Sequence, residues 1–242
     1  MMNRVARFVW RYAYAAVVCL YLLTVGLLRA KDRSFLYVIC SRYGLQPVGT
    51  RVPTVRLDEV VASDVSVQLE APTNKGGDVS LTELLVIAAL VRQRQPQVML
   101  EIGTLDGRTT LNMAANSGDS SRVFTLDLPD QPGSGARFIG KPLARKITQL
   151  FGDSVTFDYS SFRNAVDFIF IDAGHSYGNV MSDSLHALGL LRDGHGCIVW
   201  HDYDTWDWSG TTRALNRLFL EQQEFGMLRR IEGTSLVYLT RE

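Results

Sequence analysis

Cysteine is scarce. Cys19, Cys40 and Cys197 are the three in a chain of 242 residues. Being odd in number and widely spaced, they make neither a disulfide framework nor a zinc pattern, and they fit a reducing compartment. An excess of charge is also missing: Lys+Arg and Asp+Glu each number 25, so the formal net charge is zero. That argues against nucleic acid as the main partner, which leaves a surplus of basic residues. Internal repeats and low-complexity tracts are absent. What is present is 46% apolar residues, too many for a disordered chain and enough for a core that folds without disulfides or structural metals.

Long apolar runs are lacking except at one place. Tyr12 to Leu28 is a run of 17 uncharged residues. As a helix it would span about 26 Å at about 1.5 Å per residue, against roughly 30 Å for a bilayer core. Extending it back to Phe8, with Arg11 snorkelling and Trp10, Tyr12 and Tyr14 at one end, closes the gap. Three readings fit: a membrane anchor, which leads, a signal peptide, and a buried or interfacial helix. The expected organisation is a hydrophobic N-terminal helix over 1–33, a linker or cap segment over 34–77, and a main domain over 78–242.

In the main domain, elements alternate. Ser80 and Glu83 form an S-x-x-E capping box before LLVIAALV. Strands are expected at QVMLEIG, RVFTLDL, SVTFDY, VDFIFID and GCIVWHD, and two closing strands near Glu232-Gly233 bring the count to seven. Helices are expected at TTLNMAANS, PLARKITQLFG, NVMSDSLHALGLLRDG and about Thr211–Glu221. Such alternation predicts an α/β fold with a doubly wound, mostly parallel seven-stranded sheet. The run FLYVICSRYGL remains either helix or strand, and APTNKGGD reads as a loop.

Ligands of such sheets sit at the carboxyl ends of the strands. After the first strand comes Glu101-Ile102-Gly103-Thr104-Leu105-Asp106-Gly107, which is E-x-G-x-x-x-G rather than the G-x-G-x-x-G of a dinucleotide site. Asp127 follows the second strand, where a carboxylate can accept two ribose hydroxyls. Asp153 and Ser154 precede the third. Asp172 and His175 follow the fourth; His201 and Asp202 follow the fifth. These last four place two carboxylates and two imidazoles together, a set able to hold a hard cation or move protons. His186 and His195 read as structural. Trp206 and Trp208 read as a lip over a pocket or as packing.

VMLEIGTLDGRTTLNMA, VFTLDL, FIFIDAGHSYGNVMSDSLHALGLLRDGHGCIVWHDY and IEGTSLVYL resemble class I S-adenosylmethionine-dependent methyltransferases, over roughly residues 78–240. The branch most similar carries an IDG-x-HSY…HD pattern. The resemblance implies a Rossmann-like fold, S-adenosylmethionine as cofactor, and methylation of a hydroxyl on a small-molecule acceptor. By position, Glu101, Gly103, Thr104 and Gly107 match the first cofactor motif, Asp127 the ribose carboxylate, and Asp153 and Ser154 the adenine loop. Asp172 matches the acid after the fourth strand, which in metal-dependent relatives is a metal ligand, as is the position of Asp202; Mg2+ is thereby implied. His175 stands where those enzymes keep a catalytic lysine, so His175, Asp172 and His201 are the implied catalytic set. His195 replaces a common glycine, and His201 stands where the metal-dependent branch often has a carboxylate. The alternatives are a non-catalytic binding module, an NAD-linked oxidoreductase and a metal-using hydroxylase of the same branch. The expected setting is membrane association through residues 8–28 with the catalytic domain facing the cytoplasm, and homo-oligomerisation is compatible with it.

Overall fold

The computed structural model describes residues 4–25, 28, 48–73, 79–129 and 131–242. The chain divides into two compact units, Met1–Pro47 and Val48–Glu242. In the first, helix α1 runs over Arg4–Leu23. Trp10 and Tyr14 stack on one another one turn apart, with ring centroids 5.8 Å apart. Thr24 Oγ1 donates to the Leu20 carbonyl at 2.8 Å.

The expected membrane anchor is corrected here. Among the described residues, no helix is long and apolar enough to cross a membrane. The helix begins among the arginines and ends before the apolar run does, so its uncharged stretch is Tyr12–Leu23. That stretch is only about 18 Å long at about 1.5 Å per residue. The reading of a membrane-associated protein with its catalytic domain facing the cytoplasm rested on that span and falls with it. FLYVICSRYGL and most of APTNKGGD lie outside the described residues.

The second unit is a single sheet with helices on both faces. Its strands are β1 (Thr54–Val55), β2 (Val98–Ile102), β3 (Arg122–Asp127), β4 (Ile147–Phe151), β5 (Phe168–Ile171), β6 (Gly196–Trp200), β7 (Arg229–Ile231) and β8 (Val237–Arg241). They lie in the order β1-β7-β8-β6-β5-β2-β3-β4, so among the described residues the sheet has eight strands, not the expected seven. The additional strand is β1, whose Thr54 and Val55 pair parallel to Arg230 and Ile231. Two residues are too few to show the period-2 pattern that marks a strand in sequence. Every pairing is parallel except those of β8, which runs antiparallel to both β6 and β7.

The helices of this unit are α2 (Leu81–Arg94), α3 (Arg108–Asn116), α4 (Tyr177–Leu190) and α5 (Ser209–Glu221). Alternate residues of the central strands bury opposite ways, as a sheet covered on both faces requires. Leu100, Ile102, Ile169, Ile171 and Ile198 meet Val180, Ala187, Leu215 and Leu218 of α4 and α5. Met99, Phe168, Phe170 and Val199 meet Leu84, Ile87, Leu90 and Met113 of α2 and α3.

One local expectation is reversed. PLARKITQLFG is not a helix and SVTFDY is not a strand. Pro142–Lys146 forms a single 3-10 turn, and Ile147–Phe151 is the strand. The decisive contact is tertiary: Lys146 is buried and its Nζ donates to the carbonyls of Ala114 and Ser117 at 3.1 Å each. That ammonium satisfies the open carbonyl end of α3. With Lys146 held there, Ile147 pairs with Val123 and Phe151 with Asp127.

Candidate functional site

From β2 the chain proceeds to β3 and β4 on one side and to β5 and β6 on the other. The change of direction lies between β2 and β5, where open α/β sheets bind their ligands. A cavity of about 530 Å³ opens at that point, lined among others by Gly103, Asp127, Asp153, Asp172 and His175.

Gly103 makes the switch point passable. Its N–H donates to the Leu126 carbonyl at 2.8 Å, and its φ is +105°. A side chain there would overlap the carbonyl oxygen of Asp172, so the ends of β2 and β5 close together only over glycine. Gly107 ends the same loop at the start of α3 with φ +84°, and a Cβ there would meet the Phe138 ring at 2.6 Å. Glu101 and Thr104 stand behind the cavity wall rather than among its lining residues. Glu101 is buried; its Oε2 accepts from the hydroxyls of Thr125, at 2.6 Å, and Thr110. Burial pushes its carboxyl up to about 8, although those hydroxyls favour the charged form. Its Oε1 is buried without a partner.

Asp127, at the end of β3, faces the cavity with its carboxylate already in use. It accepts from the N–H of Leu105 at 3.1 Å, the N–H of Leu128 at 2.8 Å and the Ser134 hydroxyl at 2.8 Å. All three donors are neutral. Beyond β4, Asp153 Oδ1 accepts from the Val155 N–H at 3.0 Å, and Ser154 is buried beside it in the lining. Asp183 of α4 is fully buried nearby; burial lifts its carboxyl to about 6, with Ser154 opposing the shift and Asp153 adding to it.

The β5–β6 side is built differently. Asp172 and His201 leave their strands with N–H groups bonded to the carbonyls of Ile102 and Ile171, at 2.8 and 3.1 Å. His201 Nδ1 lies 3.1 Å from Asp172 Oδ1 and 3.4 Å from Asp202 Oδ1, and its Nε2 lies 3.3 Å from Glu83 Oε2. Burial alone would discharge this ring, but the carboxylates of Asp172, Asp202 and Glu83 outweigh it and hold the ring protonated far above the ordinary imidazole range. His175 Nε2 lies 3.0 Å from Asp202 Oδ2. Burial lowers its basicity as well, and the Asp202 carboxylate reverses that, leaving its pKa raised. Asp202 itself is held below its usual value: burial works against its charge, and His175 and His201 overcome it. Asp202 has φ +63°, a strained conformation for a non-glycine residue at the centre of the cluster. The Trp208 ring stands perpendicular to His175 at 4.2 Å.

The site residues expected from sequence therefore separate into three groups. Gly103, Asp127, Asp153, Ser154, Asp172 and His175 line the cavity. His201 and Asp202 stand next to it, bonded to Asp172 and His175. Glu101, Thr104 and Gly107 shape the wall from behind. His186 packs its ring 5.2 Å from Tyr159 and, like His195, is not among the lining residues.

Glu83 was missed as a site residue. In sequence it is a helix-capping residue, and it does cap: its N–H donates to Ser80 Oγ and its Oε2 accepts from the Ser80 N–H at 3.1 Å. It also reaches His201, and its Oε1 accepts from both the N–H and the hydroxyl of Ser235, at 2.7 Å each. Burial opposes its charge, but His201, Ser80 and Ser235 hold it well below the usual carboxylate range. No local pattern announces this second role, because His201 is 118 positions away.

Comparison with known proteins agrees with this architecture. Residues 100–203 match the family described as a methyltransferase domain. No curated protein matches the chain. Among solved structures, it is similar to an O-methyltransferase from Bacillus cereus in complex with SAH, at 20% identity and TM-score 0.54, covering 69% of this chain and 84% of that one. It is similar to the O-methyltransferase TomG from Streptomyces achromogenes in complex with SAM, at 18% identity and TM-score 0.54, covering 68% and 82%. It is similar also to the SAH-bound Podospora anserina methyltransferase PaMTH1, at 19% identity and TM-score 0.53, covering 68% and 80%. At these identities the likeness establishes the fold, a Rossmann-like methyltransferase fold.

Proposed function

We propose that the chain is an S-adenosylmethionine-dependent methyltransferase that methylates a hydroxyl of a small molecule. The observation that carries this reading is the adjoining of a cavity at the switch point, walled by Gly103 and Asp127, and a His175–Asp202 pair at its β5 side. The residues fit the cofactor. Asp127 offers a carboxylate held by neutral donors, which ribose hydroxyls can join or replace. Asp153 and Ser154 lie at the far end for the adenine, and Gly103 admits backbone approach at the methionine end, with the unpartnered Glu101 Oε1 behind it.

When bound, S-adenosylmethionine supplies a methyl group on a sulfonium sulfur, activated for in-line displacement. The chain's own residues orient the acceptor and take its proton. Asp202 fixes the His175 ring by accepting from Nε2–H at 3.0 Å. With Nε2 carrying its hydrogen toward Asp202, Nδ1 is the nitrogen with the lone pair and the one assigned to accept the proton. The hydroxyl proton that the acceptor gives up as it takes the methyl group would pass to Nδ1 of His175. Trp208, edge-on to His175, and Trp206, both partly exposed, form the lip on which an apolar acceptor can rest. Mg2+ enters no step of this scheme.

The test is calorimetric titration of the full-length chain with S-adenosylhomocysteine. Micromolar binding that weakens in Asp127→Ala is the expected result. A folded chain that does not bind overturns the reading.

A further inference from the structure

Three carboxylates from three separate elements meet a single imidazole. Glu83 comes from the first turn of α2, Asp172 from the end of β5 and Asp202 from the end of β6. A neutral imidazole has one N–H and one lone pair. In His201 both nitrogens face carboxylate oxygens, at 3.1 and 3.4 Å on the Nδ1 side and 3.3 Å on the Nε2 side. Either neutral tautomer would aim its lone pair at a negative oxygen. Two N–H groups satisfy all three acids, and the ring is then a cation.

This bears on the metal that relatives of this fold imply. One ligand atom each of Asp172, His175 and Asp202 lies within 4.8 Å of the others, a spacing a divalent cation can span. The donors nevertheless do not fit one. Asp202 Oδ2 is engaged by His175 Nε2 at 3.0 Å, and the Oδ1 atoms of Asp172 and Asp202 converge on the Nδ1–H of His201. Mg2+ requires near-octahedral oxygen ligands and keeps several waters. Here three of the four carboxylate oxygens of Asp172 and Asp202 already face the ring nitrogens of His175 and His201. The third carboxylate, Glu83, is tied to Ser235 and Ser80 and approaches from the far side of the ring.

We infer that His201 is the resident cation of this site, supplied by the chain in place of a divalent metal, with Glu83 as the residue that positions it. The geometry stands on its own; the chemical consequence rests on the methyl-transfer reading. Without a metal to chelate neighbouring oxygens, the site takes acceptors through one hydroxyl set against His175, and a vicinal pair of hydroxyls gives no advantage.

The probe is Mn2+, followed by electron paramagnetic resonance on the full-length chain after removal of adventitious metal, with and without S-adenosylhomocysteine. The wild-type chain is expected to leave Mn2+ free at roughly 100 µM, well above the ~10⁻⁷–10⁻⁵ M dissociation constants that carboxylate-built sensor sites reach for Ca2+. His201→Asn, which removes the cation and keeps one donor, is expected to acquire one bound Mn2+ per chain and to lose it again in the double variant with Asp202→Asn. Stoichiometric Mn2+ binding by the wild-type chain, abolished by Asp202→Asn, would overturn the inference. So would a folded His201→Asn chain that still excludes Mn2+, because the imidazolium would then not be what keeps the metal out. S-adenosylhomocysteine binding in the same samples separates this outcome from failure of the methyl-transfer reading: cofactor bound with Mn2+ bound sinks only the metal-free site.

Discussion

Asp127 and Asp202 both follow a parallel strand of one sheet and both border the same cleft, yet their carboxylates are held by opposite means. Asp127 is surrounded by two backbone N–H groups and a serine hydroxyl, all uncharged. Asp202 is set between two imidazoles. A carboxylate among neutral donors is a fixed acceptor, suited to hydroxyls that arrive and leave without a change of charge. A carboxylate beside His175 is part of a proton-handling unit, because that partner changes charge. On the proposed reading the β2–β3–β4 side holds and the β5–β6 side reacts, with the boundary at Gly103, where no side chain fits.

Breaking the reactive side should give the largest effect. His175→Ala is expected to lower turnover by about 10²–10⁴-fold, the usual contribution of a positioned base, with little change in S-adenosylhomocysteine affinity. An equal loss of affinity would place His175 on the holding side instead. The pH profile sharpens the point. A base must be neutral to act, and His175 has a raised pKa. The rate should therefore fall on acidification through a value above the ordinary imidazole pKa of about 6.5, and Asp202→Asn should move that limb to lower pH.

Next in size is His201→Gln, which leaves buried acids without their cation. Breaking such a cluster costs about 3–5 kcal/mol, measured by urea unfolding. The pH dependence has a definite sign. A raised histidine stabilises fully below its unfolded pKa, about 6.5, and loses that contribution as pH rises through the folded value. A depressed carboxylate such as Glu83 stabilises above about 4.3 and loses its contribution on acidification. The difference between wild type and variant should therefore be greatest between roughly pH 4.5 and 6.5 and smaller at pH 9. A pH-independent difference would mean that the ring acts by packing alone.

The smallest effect belongs to the holding side. Asp127→Ala should weaken S-adenosylhomocysteine binding by about 1.5–3 kcal/mol, the range for hydrogen bonds to a charged group. Turnover at saturating cofactor should change much less. A turnover collapse with unaltered affinity would erase the division between the two sides.

Much of this was legible in the chain because it is local. The strands of the centre announce themselves as β-rich apolar runs, FIFI and GCIVW, since strands buried on both faces need no polar alternation. Gly103 and Gly107 mark a tight turn, and Asp127, Asp172, His175, His201 and Asp202 stand at strand ends where ligands of such sheets gather. What escaped reading was decided at a distance. PLARKITQLFG has helical punctuation, but burial of Lys146 against the end of α3 commits the residues after it to a strand. The apolar N-terminal run was measured from Tyr12 to Leu28, while the helix that forms is registered from Arg4 to Leu23.

The sequence by itself determined the alternation of strands and helices, the turn glycines and the identity of the acids and imidazoles, because these follow from backbone preference and from side-chain patterning over a few residues. Only the tertiary structure decided that an eighth strand pairs at Thr54–Val55, that Glu101 is buried outside the cavity lining, and that Glu83 joins Asp172 and Asp202 around His201. The physical reason is the same in each case. Pairing, burial and charge compensation depend on which distant groups share a space, and chain separation carries no record of that.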